Sequence, residues 1–215
     1  MDKQVQATTK ELILDTAEGL FAEQGLDATS VRDITGAAGV NLGAITYHFG
    51  TKQKLIEAMF NRHFGPFVQR TVRLIEEAEQ KAGQKPTGIE ALLEALLRPI
   101  VEGSFCAGKK NLPFMRLMGR CQSEPSPEIQ RLIRSYMQPV FSRFAAAVHR
   151  VLPDLPGEEL FWRIQFITGA MYRALLVSSR EDLPLPREVR KLDAEGLLRR
   201  LVAFGAQGMK APHTP

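Results

Sequence analysis

The sequence predicts an all-α chain of about nine helices. An N-terminal three-helix unit containing a helix-turn-helix is joined by a long helix to a C-terminal helical bundle. Three observations predict this. Strand-like alternation bounded by hairpin turns is absent. Apolar residues recur at helical spacing, as in Ile13, Ala17, Leu20 and Phe21. Capping residues, glycines and prolines punctuate the chain at helix-length intervals.

Thr8 and Glu11 have capping-box spacing at the start of the first helix, and Gly25 supplies its stop. Ser30 caps the second helix, with Asp33 three residues on. Val31, Ile34 and Ala38 form its inner face. Gly39 provides a left-handed turn without steric cost. Asn41 caps a short third helix that runs to about His48, and Thr51 caps a fourth that extends toward Lys81, with a bend expected near Gly65-Pro66. Ala82 to Pro86 is a break before a helix over 88–102. Gly108 to Pro113 reads as a loop, Phe114 opens a short helix, and Ser123 to Pro127 breaks it. Long helices fit 127–151, 157–180 and 192–209, with joints at Pro153, Pro156, Pro184 and Pro186. Residues 1–55 are thus expected to form one domain, 56–210 a second, and 211–215 a disordered tail.

The 215 residues suffice for one large or two small domains. No apolar run approaches the ~20 residues of a membrane span, and the polar MDKQVQATTKE start is unlike a secretory signal. No membrane partner and a cytoplasmic, nucleoid-associated location are expected. Cys106 and Cys121 have neither metal-ligand nor disulfide spacing, so reduced thiols are expected. His48, His63, His149 and His213 are scattered, and no nucleophile–base pair, carboxylate pair or glycine-rich phosphate loop is visible. The expectation is therefore no enzyme, no cofactor and no metal.

Net charge is +4, yet residues 1–65 carry 6 Lys and Arg against 8 Asp and Glu. Bulk charge gives no argument for nucleic acid in this segment. Local geometry does. A recognition helix needs one apolar side for the core and one side free for base edges. At ~100° per residue, Ile45 and Phe49 share a side with Leu42 on its border. Gly43, Ala44, Thr46 and Tyr47 take the other side. Small residues permit close approach to the groove, and Thr46 can donate or accept at a base edge. Free N–H groups at the start of the fourth helix favour a phosphate there, beside Thr51 and the charge of Lys52. Arg32 can reach a phosphate or a guanine edge. Tyr47 and His48 can bond phosphate oxygens, although a lone histidine is more often structural.

From Thr9 to about Met59, the string AEGLFAEQGLDATSVRDITGAAGVNLGAITYHFGTKQKLIEAMF resembles the TetR family of one-component regulators. The signature portion is Gly39-Val40, Tyr47-His48-Phe49, Lys52 and Leu55. The resemblance implies base contacts from Asn41, Leu42, Gly43, Ala44 and Thr46. It implies phosphate contacts from Arg32, Tyr47, His48, Thr51 and Lys52. Position 46 is often aromatic in the family and is Thr here, so the operator sequence does not carry over. Gly65-Pro66-Phe67, Phe114 to Gly119, and Glu159 to Arg163 with Phe166 and Gly169-Ala170 more loosely resemble the fatty-acid-responsive PsrA-like subgroup.

The family resemblance further implies a ligand pocket in the bundle and a homodimer through the last two long helices. Phe114, Met115, Met118, Cys121, Tyr136, Met137, Phe141, Trp162, Phe166, Met171 and Tyr172 are candidates for an adaptable apolar cavity, or for ordinary core. Arg116 and Arg120 at i, i+4, with Arg163 or Arg173, are candidates for an acidic head group, or for surface ion pairs. In the last helix, Leu197, Leu198, Leu201, Val202 and Phe204 would pack on a partner subunit or on the preceding helix. The expected function is a repressor released from a palindromic double-stranded DNA operator by a small apolar effector, such as a fatty acid or acyl-CoA. A ligand-independent regulator or an activator is the alternative.

Overall fold

A computed structural model describes residues 3–107, 112–123, 126–178, 184, 186 and 192–212. The described residues form nine α-helices: α1 (Lys3–Gln24), α2 (Val31–Ala38), α3 (Leu42–His48), α4 (Lys52–Ala82), α5 (Ile89–Ala107), α6 (Leu112–Ser123), α7 (Pro127–Val151), α8 (Gly157–Ser178) and α9 (Ala194–Lys210). The all-helical expectation holds.

Three boundaries differ from expectation. α1 begins at Lys3, so Thr8 lies inside the helix and does not cap it. The residues before Thr8 include no Gly or Pro, and nothing stops the helix there. α6 begins at Leu112 with Pro113 in its first turn, where a missing N–H costs nothing. α5 runs on to Ala107, beyond the expected end at 102, while α4 spans Lys52–Ala82 as expected, with Pro66 inside it. Residues 108–111, 179–180 and 213–215, on which parts of the loop, helix and tail expectations rest, lie outside the described residues.

The chain divides into two compact units. One holds residues 1–66 and 109–136, the other 67–108 and 137–215. This differs from a cut at 55/56. α6 and the first turns of α7 join the first unit because Phe114 and Tyr136 pack there against α4.

The core of the first unit is built from one face of each helix: Ile13, Ala17 and Phe21 from α1, Ile34 and Ala38 from α2, Ile45 from α3, and Leu55, Met59 and Phe60 from α4. Phe21, Ile13, Ile34, Ile45, Leu55, Met59 and Phe60 are almost wholly removed from water. Burying each such side chain contributes about 1.5–3 kcal/mol. Thr29 is buried in the turn after α1, where its hydroxyl donates to the Gly25 carbonyl at 2.8 Å.

In the second unit, α5 supplies Leu92, Leu93, Leu96 and Leu97, and α9 supplies Leu197, Leu198, Leu201 and Ala206. Ile75, Phe144, Val148, Ile167 and Met171 complete this core. Gly205 is needed for the close packing of α9. A Cβ there would sit 3.2 Å from the Ile167 side chain and 3.3 Å from that of Leu93. Arg98 on α5 binds Glu94, Glu102 and Glu195, tying α5 to the start of α9.

Candidate DNA-reading site

The site is assembled by three consecutive caps. At α2 the reciprocal box forms: the Asp33 amide donates to the Ser30 hydroxyl oxygen at 3.2 Å, and the Ser30 amide donates to the Asp33 carboxylate at 2.7 Å. The Ser30 bonds hold the Asp33 carboxyl below its ordinary range, and the nearby Lys52 charge acts in the same direction. α2 ends on Gly39 at φ 65°. The Val40 amide bonds the Thr35 carbonyl and the Gly39 amide bonds the Gly36 carbonyl, which is a Schellman motif. Only a residue at ease in the left-handed region makes so abrupt a stop. Two residues later α3 begins.

α3 is capped by Asn41, whose Oδ1 accepts from the Ala44 amide at 2.9 Å. A Cβ on residue 43 would stand 3.2 Å from that oxygen, so Gly43 leaves room for the cap. The helix directs Ile45 inward, and Phe49 beyond it is also buried. Leu42 and Tyr47 stand out in solvent at 52% and 67% exposure, and Gly43 and Thr46 are exposed between them. Ala44 and His48 are half-buried. The Tyr47 and His48 rings meet edge-on, with centroids 5.0 Å apart.

After α3 the chain turns through Gly50 at φ 79°, whose amide bonds the Ile45 and Thr46 carbonyls. Thr51 then caps α4, its hydroxyl oxygen accepting from the Lys54 amide at 3.2 Å. The other first-turn amides of α4 have no acceptor within their own helix. Lys52 is half-buried beside them, and Arg32 stands exposed on α2. Arg32, Asn41, Leu42, Gly43, Ala44, Thr46, Tyr47, His48, Thr51 and Lys52 therefore all lie on α2, α3 or the start of α4. The Asn41 side-chain oxygen is engaged as a cap, leaving its NH₂ group as the available donor.

A clamp that the sequence reading missed ties α1 to α4 within this unit. Glu18 is 4% exposed. It accepts from Arg62 at 2.5 Å and lies 2.8 Å from His63 Nε2. Burial pushes the Glu18 carboxyl up, but the bonds and charges of His63 and Arg62 outweigh this and hold it below the ordinary glutamate range. Arg62 also binds Asp15 at 2.6 Å and Glu11 at 3.3 Å. The signal was legible in part: Glu11, Asp15 and Glu18 are spaced i, i+4, i+7 and face one arginine.

The candidate pocket residues do not form one set. Phe114, Met118 and Cys121 are buried in the first unit, with half-buried Tyr136. Burial and the Glu57 carboxylate push the Tyr136 hydroxyl up, and it donates to the Glu57 carbonyl. The second unit holds the others. Tyr172 is half-buried, its hydroxyl pushed up by burial. Phe141, Trp162 and Phe166, expected in a cavity, are exposed. On α8 the inward face is taken by Arg163, Ile164, Ile167, Met171 and Leu175, which leaves Trp162 and Phe166 on the outer face. The side chains of Met115, Cys106 and Arg120 lie outside the described residues. Arg163 is engaged within the chain. It is buried, donates to the Met209 carbonyl at 2.8 Å and to Glu159 at 3.0 Å, and so caps α9. Of the last-helix set, Leu197, Leu198 and Leu201 pack within the chain, while Phe204 is exposed.

Among the described residues, no helix is long and apolar enough to cross a membrane. No group of three ligating side chains there could hold a metal ion.

Comparison with known proteins matches residues 13–59 to the bacterial regulatory proteins of the tetR family. Residues 94–208, more than half of the chain, match the tetracyclin repressor-like C-terminal domain. The HTH-type transcriptional repressor Rv3405c of Mycobacterium tuberculosis is 40% identical over 78 residues, 34% of this chain and 41% of that protein. The HTH-type transcriptional repressor KstR2 of Rhodococcus jostii is 49% identical over 45 residues, 21% of this chain and 22% of that one. The chain thus spans less than half the length of these relatives. Among solved structures, the fatty acid degradation regulator FadR of Bacillus halodurans superposes with a TM-score of 0.65 at 17% identity, covering 95% of this chain and 97% of that one. FadR of Bacillus subtilis in complex with stearoyl-CoA gives 0.64 at 16% identity, covering 92% and 98%. These likenesses establish the fold. With a helix-turn-helix whose second helix turns a small-residue face to solvent, and both halves matched, the chain belongs to the TetR family of DNA-binding transcriptional regulators.

Proposed function

We propose that the protein is a homodimeric repressor, held on a palindromic operator by two α3 helices and released by a small apolar or acyl effector. The carrying observation is the exposed face of α3, with Gly43, Ala44 and Thr46 between the Asn41 cap and the Thr51–Lys52 start of α4. In this reading Asn41, Leu42, Gly43, Ala44 and Thr46 meet base edges, while Arg32, Tyr47, His48, Thr51 and Lys52 meet phosphates. Residues 1–55 act as the reading domain and residues 56–210 as the effector and dimer domain. The named relatives that are repressors, and the FadR structure holding stearoyl-CoA, support repression and an acyl effector of the kind the PsrA-like subgroup responds to.

The dimer rests on the exposed aromatics. Phe161, Trp162 and Phe166 form a contiguous group on α8, with ring centroids 5.5 and 6.2 Å apart along it. Phe204 stands exposed on α9. A contiguous exposed apolar patch marks an interaction surface, and reading a palindrome requires a second copy.

The test is a gel shift on the DNA upstream of the protein's own gene, with and without palmitoyl-CoA. The reading expects one shifted species of two protomers per duplex, lost as palmitoyl-CoA is added. A shift unaffected by palmitoyl-CoA and by free fatty acids would favour the ligand-independent regulator.

A further inference from the structure

We propose that Lys10 of α1 and Lys54 of α4 are further phosphate contacts, and that with Lys52 they form one positive edge around the turn between α3 and α4. This rests on the reading that α3 enters the major groove. It extends the contact with DNA to α1, a helix outside the helix-turn-helix. The two lysines flank one dipeptide, Phe49-Gly50. Lys10 is exposed, and its Nζ lies 5.8 Å from the centroid of the Phe49 ring. Phe49 belongs to the core, so the ring fixes where the ammonium can stand. A cation over an aromatic ring is attracted by the ring's quadrupole, and the outer side of Lys10 stays open to an anion. His48 and Tyr47 continue the same row, with centroids 6.2 Å from Phe49 to His48 and 5.0 Å from His48 to Tyr47. Lys10 thus prolongs the line of side chains already assigned to phosphates. Lys54 is exposed as well, and its Cδ passes 3.8 Å from the point where a side chain on Gly50 would begin. Its stem therefore runs beside the turn.

Neither lysine is neutralised by the protein. Among the described residues, no carboxylate lies within ion-pair distance of Lys10 or Lys54. The acids that could serve are drawn elsewhere. Glu11 follows Lys10 in sequence, yet Glu11, Asp15 and Glu18 all bind Arg62. Asp33 is taken up by the Ser30 cap. Residues 1–65 carry 6 Lys and Arg against 8 Asp and Glu, so this sorting decides more than the total does. Three of those acids are gathered on one arginine, and the cations left without an ion pair include Lys10, Arg32, Lys52 and Lys54. Like charges brought to one turn repel unless an anion lies among them. A DNA backbone, with one charge every few ångströms, is an anion that can meet several of them at once. The positive edge borders the exposed face of α3, where a duplex read by that helix would pass.

The experiment is the salt dependence of affinity for upstream DNA and for a random duplex, measured on full-length protein. The variants are Lys10→Gln, Lys54→Gln, the charge-keeping Lys10→Arg, and Lys85→Gln, which removes the same charge from the exposed turn between α4 and α5. Each lost phosphate contact lowers the log–log slope by ~0.9, so Lys10→Gln and Lys54→Gln should each lose ~2 in a dimer. The loss should be alike on both duplexes, because phosphates carry no sequence information. Lys10→Arg and Lys85→Gln should keep the wild-type slope. Each lysine is judged by its own variant: a wild-type slope removes that residue from the edge, and wild-type slopes in both overturn it. An equal loss in Lys85→Gln also overturns it, since the effect would then be one of net charge. Lys52→Ala judges the DNA-reading assignment separately. A lowered slope there, with both Gln variants at the wild-type slope, leaves that assignment standing and removes only the added contacts.

Discussion

Single residues divide the labour between base reading and anchoring. Thr46 carries a hydroxyl and a methyl group on the exposed face of α3. Thr46→Ala is expected to alter base preference by ~1–3 kcal/mol at one operator position and overall affinity less, as a base-substitution series would show. Asn41→Ala removes the acceptor for the Ala44 amide. It should cost about 1 kcal/mol of stability and, through the lost cap, weaken binding to every sequence, with any further loss confined to one operator position reporting the base contact of its amide group. The outward placement of Gly43 and Thr46 was legible from spacing alone, because a helix of seven residues has only one way to put Ile45 inward. The capping role of Asn41 was legible as well. What spacing could not reveal was that capping and base contact compete for the same side chain.

Elements set where these residues stand. α2 and α3 could be placed from Ser30, Gly39, Asn41 and Gly50 because caps and left-handed turns have narrow residue requirements. The clamp between α1 and α4 was not seen, since Glu18 and Arg62 are 44 residues apart and nothing local pairs them. It has a consequence for acid stability. The Glu18 carboxyl is held below its ordinary value in the folded protein. Its stabilising contribution is therefore complete at neutral pH, above the unfolded-state value, and is lost as pH falls through the folded value. Glu18→Gln should flatten the acid limb of a stability–pH curve measured by denaturant titration, and should lower stability at neutral pH. Removing one partner of a buried pair costs ~3–5 kcal/mol; the half-buried, solvent-screened Arg62 and His63 place this case below that range. An acid limb identical to that of the wild type would mean the clamp contributes nothing.

At the scale of the whole molecule, helix order and length were readable almost throughout, but the grouping of helices was not. Periodicity gives a helix its buried face without naming the neighbour that buries it. Thus α6 belongs with the N-terminal helices, and Trp162 and Phe166, apolar enough for a cavity, stand on an outer face. That exposure turns two candidate pocket residues into candidate dimer contacts. Trp162→Asp with Phe166→Asp is expected to halve the mass seen by light scattering and weaken operator binding at least tenfold, leaving the helical content unchanged. A dimer that survives both charges would place the interface elsewhere.

The proposed DNA binding requires α3 to enter the major groove with the start of α4 against the phosphate backbone. The most direct measurement is affinity for upstream DNA as a function of salt, for wild type and Lys52→Ala. Each lost phosphate contact lowers the log–log slope by ~0.9, so a dimer should lose ~2. Affinity should fall for specific and random duplexes alike. A Lys52→Ala protein with the wild-type slope and affinity would contradict the placement of this helix-turn-helix on DNA.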